Sequence, residues 1–246
     1  MKHKLSYLSL GVVLFLAAAC FPQEDSCNIK TEGIYVEYEV VETASSAKAE
    51  AVFWVGNKPG GTNVRLTCGD VVLMNGVQLK KSGSNPARYK ATVDVADTYA
   101  FVFDRKGESP YESTITNMPE PISLLSPKSV DIARDDAFDV TWKDNGTGDK
   151  LNLLIESECF WDYPDTLGKS VVDNGHHTVS ADAFDLKSGK EAQTCSAKVV
   201  LTREAKGRLS PQLKGSIKGK TRASALFTSL PSADALAAAA ADADAE

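Results

Sequence analysis

Gly33-Ile34-Tyr35-Val36-Glu37-Tyr38-Glu39-Val40-Val41 alternates between two kinds of residue. Ile34, Val36, Tyr38 and Val40 fall on one side, and Tyr35, Glu37 and Glu39 on the other. A period of two is that of a strand with one face buried and one face wet. Val64, Leu66 and Cys68 keep the period. Tyr89, Ala91, Val93 and Val95 repeat it, as do Tyr99, Phe101 and Phe103. Between them, Asn75-Gly76 sits between apolar runs, the strongest short hairpin signal. Arg105-Lys106-Gly107-Glu108 reads as a further turn. No stretch of this half carries a sustained helical period. Short strands at this spacing predict a β-sandwich.

Beyond it, Pro119, Pro121 and Pro127 mark a short, stiff connection, because proline removes a backbone donor and holds its predecessor extended. A second β-rich unit follows. Phe138, Val140 and Trp142 alternate, then Leu151, Leu153, Ile155, Ser157 and Cys159, then Cys195, Ala197, Val199 and Leu201. After Pro231 the chain is mostly Ala and Asp. Alanine favours helix, but a short isolated helix is marginal in water, so a disordered or partly helical tail is expected.

The opening has a different character. Met1-Lys2-His3-Lys4 is basic, Leu5 to Leu16 is mostly apolar, and Ala17-Ala18-Ala19 is a small-residue cleavage site before Cys20. The apolar stretch falls short of the ~20 residues a membrane span needs. Leu16-Ala17-Ala18-Ala19-Cys20 resembles the lipobox of bacterial lipoproteins, with the family's leucine displaced by one position. That resemblance implies cleavage before Cys20 and lipidation of its thiol. Because Phe21 is not Asp, it also implies sorting to the outer membrane. Ordinary cleavage after Ala19, giving a soluble secreted β-sandwich protein, is the alternative.

Five cysteines fit this picture: Cys20, Cys27, Cys68, Cys159 and Cys195. Export puts them in a compartment where disulfides persist. Setting Cys20 aside leaves an even number, and the layout favours Cys27–Cys68 and Cys159–Cys195, one bridge in each half. The absence of Cys-x-x-Cys spacing and the presence of only three His argue against a metal site.

The second half resembles fibronectin type III and related immunoglobulin-like domains. The likeness rests on Ser126-Pro127, on Phe138-Asp139-Val140-Thr141-Trp142, and on Val199-Val200-Leu201-Thr202-Arg203 before Gly207-Arg208-Leu209-Ser210-Pro211. It implies that the strand after the Trp strand lies near the late one, with Cys159 and Cys195 on neighbouring strands. The expected fold is all-β, with two immunoglobulin-like sandwiches after a cleaved signal peptide. The expected division is 1–19 signal peptide, 20–26 lipidated tether, 27–118 first sandwich, 119–127 linker, 128–230 second sandwich and 231–246 tail.

Function is less legible. The formal charge is −6, and loss of Lys2 and Lys4 with the leader makes it −8. Nothing in that balance suits nucleic acid. His176-His177, near Asp173 and Asp182, could suggest a metal or a general base. Adjacent strand residues point to opposite faces, however, so Asp173-Asn174-Gly175 is read as a turn leading into a strand. Asp144 to Asp149 has Gly where a calcium loop needs oxygen ligands and is read as a turn. Phe160, Trp161 and Tyr163 form a candidate recognition patch, or else a plug for the sandwich end. No nucleophile–base motif is present, and no catalytic residue, cofactor or metal is assigned. The expectation is a lipid-anchored, non-catalytic envelope protein, periplasmic or surface-facing, that binds an envelope protein, peptide or glycan. An envelope hydrolase or accessory enzyme subunit is the competing reading.

Overall fold

The computed structural model describes residues 22–243, apart from 44, 84, 147, 163–167 and 182. The leader and Cys20 therefore lie outside the described residues, as does Tyr163.

The first half contributes β1 (Gln23–Asp25), β2 (Ile34–Glu42), β3 (Ala47–Val55), β4 (Asn63–Arg65), β5 (Val71–Met74), β6 (Val77–Gln78), β7 (Lys80–Lys81), β8 (Arg88–Val93), β9 (Tyr99–Asp104) and β10 (Tyr111–Ile115). β2, β3 and β8 pair antiparallel as one layer. β10, β9, β5 and β6 form the other. The alternation of β2 has the expected result: Ile34, Val36, Tyr38 and Val40 are buried between the layers. Tyr38 stacks on Phe101 of β9 at 4.3 Å between ring centroids, and Phe53 meets Phe103 at 5.1 Å. Asn75 and Gly76 both take positive φ, 47° and 80°, as the two-residue turn between β5 and β6 requires.

The second half repeats the plan with β11 (Leu124–Ser126), β12 (Asp131–Ala133), β13 (Phe138–Trp142), β14 (Lys150–Ser157), β15 (Lys169–Val172), β16 (His176–Val179), β17 (Cys195–Lys206) and β18 (Lys214–Leu230). β11, β13 and β16 form one layer; β18, β17, β14 and β15 form the other. Val140, Trp142, Leu153, Ile155, Val199 and Leu201 fill the space between. β14 pairs with β17, as the immunoglobulin-like resemblance implies. The protein is all-β, two sandwiches of one plan, followed by helix α1 (Ala233–Ala243).

The two sandwiches share a sheet. β18 is 17 residues long. Lys218–Ser229 pair antiparallel with β17, while Lys214–Thr221 pair in parallel with β2. The β2–β3–β8 layer of the first sandwich, extended by β1, β4 and β7, thus runs without a break into the β18–β17–β14–β15 layer of the second, which β12 joins along β18. The tip between β17 and β18 also reaches across to β10. Thr114 and Arg208 exchange backbone hydrogen bonds of 2.9 and 2.7 Å, and Leu213 and Ile217 are buried in the first core. The expected second unit, 128–230, is therefore not closed on itself, and the expected 119–127 linker contains β11.

Glycine makes the junction possible. Gly215 has φ of +140°, and a Cβ there would collide with the Val36 carbonyl oxygen. A Cβ on Gly219 would collide with the Met118 sulfur. Polar clamps finish the joint. Arg203 meets Asp173 at 2.6 Å, both side chains almost wholly buried. The same guanidinium donates to the carbonyls of Glu120 and Pro121 at 3.2 Å, holding the proline segment. Trp142 Nε1 donates to Asp173 at 2.7 Å. In the first sandwich Arg105 plays the same part. It pairs with Asp70 at 3.1 Å and donates to the carbonyls of Ser26 and Ile29.

The expected disulfides are both present, Cys27–Cys68 with Cα atoms 6.1 Å apart and Cys159–Cys195 at 6.2 Å. Cys27–Cys68 and Arg105 fix the same N-terminal segment. Two such bridges suit an oxidising compartment outside the cytoplasm. Among the described residues no helix is long and apolar enough to cross a membrane.

Candidate functional site

β18 alternates in an unusual way. Ile217, Gly219, Thr221 and Phe227 face inward and are buried, whereas Lys214, Ser216, Lys218, Lys220, Arg222 and Ser224 face the other way. Register carries this outer face across the joined sheet. Arg222 lies beside Thr202 of β17, Lys220 beside Glu204 of β17 and Val41 of β2, and Val41 beside Lys48 of β3. Three open concavities lie on this face; the smallest, about 160 Å³, is walled by Glu37, Glu39, Glu50, Lys218 and Lys220. The other two meet at Arg222. One, of about 500 Å³, is floored by β14, β17 and β18 and lined by Lys150, Asn152, Thr202 and Lys220 among others. The second, about 680 Å³, lies over β2, β3 and β8, with Lys48, Lys90 and Thr92 on its wall. Arg222 and Ser224 line both.

The charges here are unevenly satisfied. Glu39 takes Lys220 at 2.6 Å; Glu204 takes Lys218 at 2.8 Å. Glu50 is held by Lys90 at 2.8 Å and Arg88 at 3.3 Å, and Glu156 by Lys198 at 2.5 Å. The hydrogen bond to Glu204 raises the Lys218 pKa, and burial raises that of Glu37, which favours its neutral form. Four carboxylates of this face are thus neutralised by its own lysines and arginines. Arg222, Lys150 and Lys48 take no ion pair among the described residues. An acidic chain thereby presents a basic face with unspent cations beside two concavities. Such a surface can hold an anion.

The residues singled out from sequence fall elsewhere. Phe160 is fully buried and stacks on Phe184 at 4.2 Å, so its ring is a plug and not part of a surface patch. Phe160 follows the buried Cys159 of the second disulfide, and its backbone bridges to Leu186, which keeps the ring on the core side. Trp161 is 62% exposed, with Lys187 Nζ 5.1 Å from its ring centroid. Tyr163 lies outside the described residues. His176 and His177 do point to opposite sides of β16. His176 meets Asp139 at 3.0 Å. His177 is half-buried, and its pKa is lowered by burial first, then by Lys169 and His176. Asp173 is committed to Arg203 and Trp142. Among the described residues no cluster of His, Cys, Asp or Glu could hold a metal ion.

The basic face escaped sequence reading because β18 itself was not recognised as a strand. A signal was present: Lys214-x-Ser216-x-Lys218-x-Lys220-x-Arg222-x-Ser224 is polar at a strict period of two.

No protein-family model matches the chain. No curated protein matches it either. Eight chains of solved structure do. The fibronectin(III)-like modules of Clostridium thermocellum CbhA align at 10% identity over 81% of this chain and 94% of theirs, with a TM-score of 0.25. The calcium binding domain CBD12 of CALX1.1 aligns at 10% identity over 79% and 98%, TM-score 0.23. CBD12 of CALX1.2 aligns at 12% over 79% and 99%, TM-score 0.22. Likenesses this distant carry no argument about what the chain binds or does.

Proposed function

We propose that this protein is a lipid-anchored, non-catalytic binding module of the bacterial cell envelope, with the outer face of its continuous sheet as the binding surface. The observation that carries the reading is the charge state of that face. Four of its glutamates, Glu39, Glu50, Glu156 and Glu204, are ion-paired internally, while among the described residues Arg222, Lys150 and Lys48 have no ion pair and line two concavities. Unpaired surface cations gain from an anionic partner without first breaking an ion pair.

Cys20 supplies the anchor in this reading. Cys27, Cys68, Cys159 and Cys195 pair among themselves, which leaves Cys20 as the fifth thiol. The lipobox resemblance assigns that thiol to lipid, and a residue other than Asp after it, Phe21, fits sorting to the outer membrane. One acyl chain binds only marginally, so stable attachment needs more than one.

Two measurements test this. Cells labelled with palmitate should label the wild type, and Cys20→Ser should lose both the label and the membrane fraction. Labelling of Cys20→Ser would sink the anchor. For the face, Arg222→Glu combined with Lys150→Glu should retain several-fold less envelope material than the wild type on an affinity column. Equal retention would sink the binding surface.

A further inference from the structure

Taking the outer face as the binding surface, we infer that its ligand is an acidic polysaccharide lying across the strands. The inference rests on that reading and adds the ligand class. Arg222 is on β18. Lys48 is on β3, two strands away on one side, and Lys150 is on β14, two strands away on the other. With strands about 4.8 Å apart, each step is on the order of 10 Å and the whole row about 19 Å. The cations unpaired among the described residues are therefore spread at roughly even strand intervals, with Arg222 two residues along β18 from the row that runs from Lys48 through Lys220, which suits an extended polyanion better than one small anion. Several weak contacts on one chain add through effective concentration.

The floor between these cations selects the kind of polyanion. Asn152, Ser170, Thr202, Ser224 and Thr92 line it, and these are side chains that exchange hydrogen bonds with hydroxyl groups. An extended peptide would need either a free sheet edge for its backbone or apolar pockets for its side chains. β18 is hydrogen-bonded on both sides over Lys218–Thr221, and its β2 side is without a strand partner only from Arg222 until β12 pairs at Thr228. A peptide strand added there would run along β18, whereas the three cations are arrayed across the strands. Neither of the two concavities at Arg222 contains an aromatic ring among its lining residues. A polymer of sugar acids offers what the face accepts: hydroxyls along its length and carboxylates at intervals. Arg222 lines both concavities and can grip a carboxylate with two parallel N–H donors.

The test is binding of the full chain to polygalacturonate, by calorimetry, beside its fully methyl-esterified form and poly-glutamate. Polygalacturonate should bind and the neutral ester should not. Raising salt from about 50 to 500 mM should weaken binding at least several-fold, since screening shortens the reach of exposed charges. Arg222→Gln should weaken it about tenfold, and Lys150→Gln and Lys48→Gln by a smaller factor each, with unchanged thermal midpoints. Equal binding of the ester, tighter binding of poly-glutamate, or no binding of polygalacturonate at low salt would each overturn the polysaccharide assignment. So would indifference to Arg222→Gln. The binding module itself falls only if charge reversal of the face also leaves envelope retention unchanged, so the two failures are separable.

Discussion

Asp173 shows how much a single buried charge holds in this protein. It accepts from Arg203 and from Trp142, and Arg203 in turn holds the carbonyls of Glu120 and Pro121. Asp173→Asn keeps the shape but leaves the guanidinium buried without its counter-charge. Loss of one partner of a buried pair costs about 3–5 kcal/mol, so urea denaturation should show a drop of that order. Phe160 and Trp161 separate in the same experiment. Phe160→Ala removes a buried ring and should cost about 3–5 kcal/mol, whereas Trp161→Ala should change stability by less than about 0.5 kcal/mol. His177 gives a pH dependence. Its folded pKa is lowered, so the unfolded chain takes up the proton first as pH falls through about 6.5. Stability should therefore decline below that pH until the folded pKa is passed, and His177→Gln should flatten that part of the thermal-midpoint profile. At this scale the turns and cysteines were legible: Asn75-Gly76 and the disulfide pairs depend on local chemistry and layout. The burial of Asp173 was not, because an Asp-Asn-Gly turn looks exposed until Arg203 from a distant strand covers it.

Among the elements, β2 and β18 make an instructive contrast. β2 announces itself through Ile34, Val36, Tyr38 and Val40, large residues with a whole core to fill. The inward face of β18 holds Ile217, Gly219, Thr221, Ala223 and Ala225, small or polar for the most part. At Gly219, where the strand crosses from one core to the other, Met118 and Ile115 leave no room for a side chain. The hydrophobic alternation that sequence reading depends on is therefore suppressed where the strand does its structural work, and only the cationic alternation of its outer face remains visible. Gly215→Ala should be costly for the same reason. The residue combines a positive φ with contact against the Val36 carbonyl, so a loss exceeding about 1 kcal/mol is expected, read as a lower thermal midpoint. Gly76→Ala, at a turn open to solvent, should lower it less.

At the scale of the molecule, the shared strand turns two sandwiches into one body. Leu213 and Ile217 belong to the first core yet lie far along the chain, beyond the second sandwich's other strands. The two β-rich halves were visible in the sequence through their separate alternations and the prolines between them. Their union was not, because parallel pairing of β18 with β2 joins residues about 180 positions apart and leaves no local mark. The same union creates the broad outer face on which Lys48, Arg222 and Lys150 share one surface, so the proposed binding site depends on it. Engineered cysteines test that union most directly. Ser216 and Glu37 are register partners on the outer face, and neighbouring strands bring Cα atoms within disulfide range. Ser216→Cys with Glu37→Cys should cross-link almost completely on mild oxidation of the folded protein, while Ser216→Cys with Tyr38→Cys, whose side chains point to opposite faces, should not. Failure of the first pair to cross-link, or equal cross-linking of both, would contradict the continuous sheet.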